Sequence, residues 1–224
     1  MRICIVSGIF PPDIGGPATY LLNLCKKITD LGHKIYVITF GDEYADFSFP
    51  VQKISRKIHP FIRLLLAFIK IIKLRKEIDI IFTLGGPWDS GIPALFAKII
   101  LCKPMVTKVT GDIAWERARI KYLIEDNLEE FQIRRYPLKI EFFRWIQHFV
   151  VGKADAVIAP CKFAKKILID WGVKDEMIKI IPNGIDDNLP PIDKKDTIKS
   201  KLNLNGNLLI VTMGRLIPLK GVDN

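Results

Sequence analysis

Apolar residues along the chain gather in two patterns. Short, continuous, β-branched runs occupy Arg2–Ser7, Lys34–Phe40, Asp79–Leu84, Met105–Thr110, Ala156–Ala159 and Met177–Ile181. Runs of this kind predict strands buried on both faces. Longer segments with apolar positions three and four apart predict helices over Ala18–Leu31, Pro60–Lys76, Gly91–Leu101, Leu138–Val151 and Lys162–Trp171. The alternation of the two predicts an α/β fold, a Rossmann-like parallel sheet with helices on both faces. Ligands of such sheets bind at the carboxyl ends of the strands. The loops expected there are FPPDIGGP, GDEYAD, GGPWDSG, TGDIAWER and PCKFA. From residue 182 the pattern gives way to PNGIDDNLPPIDKKD, whose turn formers and charges read as a linker. The expected organisation is a first domain over 1–184, a linker over 185–196, and over 197–224 the beginning of a second domain. That last part holds a short helix, Thr197–Leu202, and one strand, NLLIVTMG. A buried-type strand needs partners on both edges, so the second domain is expected to be incomplete, truncated after its first strand.

The junction FPPDIGGPATY, Phe10 to Tyr20, joins the first strand to the first helix. Pro11 and Pro12 give the loop a set shape. Gly15 and Gly16 permit positive φ and let another molecule approach the backbone. Pro17 suits the first turn of a helix. A glycine loop feeding a helix N-terminus favours an anion.

Composition changes this picture in three ways. Nearly half of the residues are apolar, enough for a substantial core. The start, MRICIVSGIF, reads as a strand rather than a signal peptide, and charges interrupt the longest apolar run before it could span a membrane. The cysteines at 4, 25, 102 and 161 are far apart and form no C-x-x-C, which suggests reduced, mostly buried thiols in a cytoplasmic protein. Charge is uneven: of a net +10, eight basic residues and no acidic one lie between Gln52 and Lys76. Such an excess points to a polyanion. No recognised motif supports nucleic acid, so the alternative is an anionic membrane face, contacted through Arg63, Lys70 and Lys73. The competing reading is a buried helix whose lysines reach outward.

Three stretches in order resemble the retaining glycosyltransferases of the GT-B fold, in particular glycosyltransferase family 4: FPPDIGGPATY, then ADAVIAPCKFAKKILIDWGV with KIIPNGID, then VTMGRLIPLKG. The resemblance implies transfer of a sugar from a nucleotide-diphosphate donor to a sugar or lipid-linked acceptor. It also implies that Arg215 and Lys220 clamp the donor diphosphate, with Gly15 and Gly16 facing them across a cleft. An arginine fork and a lysine point charge suit a leaving group that gains negative charge. No D-x-D occurs, and His33, His59 and His148 lack metal-ligand spacing, so neither metal nor other cofactor is expected. His33 is expected to cap a helix–strand turn.

Many relatives carry a histidine where this chain has Thr110, which leaves Asp112 and Glu116 as candidate catalytic or sugar-orienting groups. Asp112 could equally cap a helix. Trp115, Arg117 and Arg119 are candidates for the acceptor side. The family's two glutamates eight residues apart are absent from these residues, so the chain alone is expected to have little transferase activity. Two rivals stand beside the transferase. One is a truncated relative that only binds. The other is a nicotinamide or flavin enzyme, disfavoured because G-x-G-x-x-G is missing although Asp42 could mimic its ribose-binding acid.

Overall fold

The structure, a computed structural model, describes residues 1–122, 124–184, 195–202, 204, 211 and 214. The chain divides into two units, Met1–Asn183 and Gly184–Asn224. In the first, β1 (Arg2–Ser7), β2 (Lys34–Phe40), β3 (Val51–Ile54), β4 (Ile80–Leu84), β5 (Met105–Lys108), β6 (Ala156–Ala159) and β7 (Ile178–Ile180) form one sheet. Its order is β3-β2-β1-β4-β5-β6-β7, and every pairing is parallel. Cys4, Ile5 and Val6 are consecutive and fully buried. Burial without alternation requires cover on both faces.

The chain leaves β1 in one direction through α1 (Gly16–Asp30) to β2 and β3. It then returns through α2 (Pro60–Lys73) and continues the other way through α3 (Ile92–Leu101), α6 (Leu138–Gly152) and α7 (Lys162–Asp170). Right-handed crossovers therefore put α1 on one face and the other four helices on the opposite one. The cores divide accordingly. Leu21 and Cys25 of α1 pack with Ile5, Ile35 and Val37. Ile71, Ala97, Val150 and Leu168 pack with Cys4, Val6 and Val157. The strand order reverses between β1 and β4, and the crevice outside their carboxyl ends is the place such a sheet offers a ligand.

Three elements differ from the sequence expectation. β3 lies inside the basic stretch, and its VQKI carries a polar pair suited to a half-exposed edge. Between β5 and β6 the chain inserts α4 (Ile113–Tyr122) and α5 (Leu128–Ile133) before α6. Ala114, Ala118, Phe131 and Ile140 form a small core there, and Asn127 with Glu130 closes a capping box on α5. The thiols are free, as expected, but Cys102 and Cys161 are exposed while Cys4 and Cys25 are buried. Burial pushes both buried thiols up to about 12.

In the second unit the structure describes one helix, α8 (Lys195–Lys201), in place of the expected Thr197–Leu202. The expected strand NLLIVTMG falls almost wholly outside the described residues. Among the described residues no helix is long and apolar enough to cross a membrane.

The imidazole of His148, on α6, stacks on Trp171 with ring centroids 5.0 Å apart. Burial lowers its pKa below the ordinary 6.5; Asp112 and Glu141 pull it back up, and Arg144 adds to the depression. The native state therefore keeps His148 neutral at pH values where the unfolded chain already binds a proton. The sign follows: stability is full above about pH 6.5 and falls as the pH drops from there towards the native pKa. Thermal unfolding followed from pH 7.5 to 5.5 should show a falling Tm, and His148→Phe, which retains the stack, should flatten that slope. An unchanged slope in the variant would assign the acid sensitivity to other groups.

Candidate functional site

The loop after β1 is built to hold one shape. The buried hydroxyl of Ser7 donates to the Ile9 carbonyl at 2.8 Å. Phe10 is fully buried and sits edge-on to Phe47 and Phe49. The Pro11–Pro12 bond is cis. Two cations from the β3 region then tie the loop down. Arg56 pairs with Asp13 at 2.6 Å and donates to the Gly8 carbonyl at 3.2 Å. Lys53 donates to the Pro11 carbonyl at 3.0 Å and to the Glu43 carbonyl. Both belong to the basic stretch that the sequence suggested for a polyanion, and both hold this loop.

Gly15 is the N-cap of α1, Pro17 lies in the first turn, no side chain caps this end among the described residues, and the first turn has no acid. The helix start is thus open to an anion in both hydrogen bonding and charge. The glycines do not supply positive φ, contrary to expectation. Gly15 is extended at φ 167°, and the positive-φ glycines among the described residues are Gly32, Gly85 and Gly172. Their use is space: a Cβ on Gly15 would come 3.2 Å from Ile9 Cδ1, whereas one on Gly16 would meet nothing within 4 Å. Gly16 leaves bare backbone facing open space.

Across the reversal point, β4 is followed by Gly85, at φ +97°, and by a π-helical turn, Pro87–Gly91. The Ser90 hydroxyl donates to the Gly86 carbonyl at 2.8 Å and holds this turn. Asp89 stands against the first loop: a Cβ on Gly8 would lie 3.8 Å from its Oδ2. Sequence reasoning picked out GGPWDSG as a loop but passed over Asp89. It also passed over Lys108, the last residue of β5, whose side chain is completely buried. Its Nζ donates to the Tyr20 hydroxyl at 3.0 Å and the Ile181 carbonyl at 3.2 Å, and lies 4.2 Å from the centre of the Tyr20 ring. No carboxylate of the described residues pairs with it. A lysine inside the predicted buried run Met105–Thr110 was the available signal.

The Thr110–Gly111–Asp112 loop enters α4. Asp112 is 3% exposed. Its Oδ1 accepts from the Trp115 N–H and the Gln147 amide, and its Oδ2 from the Gln132 amide, each at 2.9 Å. The geometry is that of a helix cap extended by two amides, the second of the two readings the sequence left open. Glu116 folds back towards the loop, its Oε1 2.8 Å from where a Cβ on Gly111 would stand. Trp115 donates through Nε1 to the Asp126 carbonyl at 2.9 Å. Arg119 donates to the carbonyls of Glu125 and Asp126. Arg117 lies over the Phe143 ring at 4.7 Å. Trp115 and Arg119 therefore brace the 125–126 segment, and Glu116 turns back onto the loop that follows β5.

Of the membrane candidates, Arg63 lies over the Phe40 ring and donates to the Arg56 carbonyl, and Lys70 donates to Gln52 at 3.0 Å. Both turn to the β2–β3 edge, while Lys73 is exposed. Asp42 is held by the Ser55 hydroxyl, which keeps its carboxyl below the usual range. Arg215 and Lys220 lie outside the described residues. Among the described residues no group of three or more His, Cys, Asp or Glu could hold a metal ion.

A profile of Glycosyltransferase Family 4 matches residues 14–189. Mannosylfructose-phosphate synthase of Agrobacterium fabrum is 25% identical over 237 aligned positions, covering 94% of this chain and 50% of that protein. The GPI3 subunit of phosphatidylinositol N-acetylglucosaminyltransferase of Saccharomyces cerevisiae is 23% identical, covering 99% and 48%. The chain thus spans about half the length of these curated relatives. Among solved structures, Anabaena HepE in complex with UDP superposes with a TM-score of 0.67 at 19% identity, over 100% of this chain and 56% of that one. At this identity the likeness concerns the fold, a GT-B Rossmann-like unit.

Proposed function

Because the chain belongs to glycosyltransferase family 4, we propose that it forms the acceptor-side half of an enzyme that moves a hexosyl group, with retention and without a metal, from a nucleotide-diphosphate donor to a sugar or lipid-linked acceptor. The enzyme works in the cytoplasm, at the inner face of the membrane. The observation that carries the reading is the open start of α1 behind the braced Gly15–Gly16 loop, at the reversal point of the sheet. Departure of the sugar leaves a diphosphate with growing negative charge. Donors already in place stabilise it better than donors that must be gathered. The N–H groups of Gly16 and Ala18 and the dipole of α1 meet that need on this side. The family resemblance assigns Arg215 and Lys220 to the same diphosphate, and Glu116 orients a sugar hydroxyl. The solved relatives captured with UDP and with UDP-glucose support a nucleotide-sugar donor, and the relative named for phosphatidylinositol supports a lipid acceptor. The 224 residues alone turn over little donor.

Gly16→Val tests this in the full-length protein. The new side chain meets open space, so stability should stay within about 0.5 kcal/mol of wild type. Affinity for the nucleotide sugar, measured by titration calorimetry, should fall at least about tenfold because the backbone is no longer approachable. Wild-type affinity in the variant would remove the loop from the phosphate path.

A further inference from the structure

Three neighbouring helices on one face of the sheet carry their apolar side chains on the wrong side for a core. On α2, Ala67 and Ile71 face inward, yet the opposite stripe is Phe61, Ile62, Leu65 and Ile69, with Phe61 71% exposed. α3 packs beside α2 and exposes Phe96, Ile99 and Ile100. α6 meets α3 where Val150 abuts Gly91 and where Lys98 donates to the Lys153 carbonyl at 2.6 Å. Its outer stripe holds Phe142, Trp145 and Phe149, with rings stacked in sequence at 6.2 and 5.4 Å and Trp145 59% exposed. These side chains stand opposite each helix's buried stripe, so all three stripes point away from the sheet. Apolar area of this extent on one layer marks a contact surface.

The charge at its margin identifies the occupant. Exposed Lys73, Arg75 and Lys76 close the end of α2, and Lys139 and Lys153 lie at the two ends of α6. α2 and α3 contain no acidic residue, and Glu141 of α6 is paired with Arg144. An apolar field with tryptophan and phenylalanine, rimmed by lysine and arginine, with the neighbouring acids Glu77 and Asp155 engaged by Tyr36 and Lys98, fits the headgroup boundary of an anionic bilayer. A second protein surface of ordinary composition would leave the rim unmatched.

We propose that the outer stripes of α2, α3 and α6 form one composite surface that lies on anionic lipid. It replaces the Arg63–Lys70 stripe, whose charges turn to the sheet edge. The surface gives purpose to the reading of a lipid-linked acceptor, but its chemistry does not depend on that reading, and vesicle binding is measured without any sugar.

The experiment floats the full chain with vesicles of phosphatidylcholine alone and of phosphatidylcholine with about one-third phosphatidylglycerol. Each basic residue near such a surface strengthens binding roughly fivefold. The chain should therefore bind the anionic vesicles at least about tenfold more strongly. The double variant Phe61→Ser, Trp145→Ser changes only exposed side chains, so its circular dichroism and Tm should match wild type while its vesicle binding is lost. Binding to neither vesicle, equal binding to both, or undiminished binding by the variant would each overturn the proposal. So would a stable dimer that the double variant dissociates, together with no vesicle binding, because a second copy would then be the occupant.

Discussion

Asp112→Ala should lower Tm by on the order of 10 °C, and Asp112→Asn should not fully restore it. The alanine variant removes the α4 cap, worth about 1 kcal/mol. It also leaves the buried Gln147 amide without an acceptor, at about 1–3 kcal/mol, and the Gln132 amide with the Leu128 carbonyl alone, at 3.2 Å. For a domain of this size each kcal/mol corresponds to about 2–4 °C. Asparagine fails for a specific reason. Gln147 cannot turn over, because its Oε1 accepts from the Ala114 N–H at 3.1 Å. Gln132 cannot turn over either, because its Oε1 accepts from Trp171 Nε1 at 2.9 Å. An asparagine that keeps Oδ1 towards Trp115 and Gln147 therefore sets its own NH2 against that of Gln132. Thermal unfolding of the two variants measures both effects. A role confined to chemistry would instead leave Tm unchanged in both and remove activity.

Gly91→Ala should destabilise by about 1–2 kcal/mol, although alanine ordinarily improves a helical position. The backbone is right-handed helical, φ −73° and ψ −48°, so alanine gains about 0.4–1 kcal/mol by restricting the unfolded chain. Its Cβ, however, would stand 2.6 Å from Val150 Cγ1. Overpacking of this kind costs about 1–3 kcal/mol. Val150→Ala removes the clashing methyl, so the double variant should be more stable than the sum of the singles predicts, by about 1–2 kcal/mol. Strict additivity in a denaturant-unfolding cycle would show that α3 and α6 part here at no cost.

The strands at the centre of the sheet were legible because burial on both faces removes any need for alternation, as Cys4-Ile5-Val6 shows. β3 was not, since an edge strand four residues long with Gln52 and Lys53 follows no apolar pattern. α4 was legible only as the helix that Asp112 could cap: its buried residues are Ala114 and Ala118, and IAWERARIKY shows no broad apolar stripe. Charge was read locally but acts at long range. Lys53 and Arg56 bind a loop more than thirty-five positions away. The heptad spacing of Arg63 and Lys70 correctly put them on one side of α2, yet that side meets Phe40 and Gln52. The glycine loop stood out on composition, whereas Asp89 and Lys108 acquire interest only once β1, β4 and β5 lie side by side.

The strand order also sets a timetable for synthesis. β1 is made first but lies in the middle of the sheet, with β2 on one side and β4 on the other. Once β2 has emerged from the ribosome, the roughly forty residues up to β4 take about 2–8 s more at ordinary translation rates. Throughout that interval one edge of RICIVS is open, and the nascent chain carries a half-paired strand with an apolar centre, of the sort that recruits other chains.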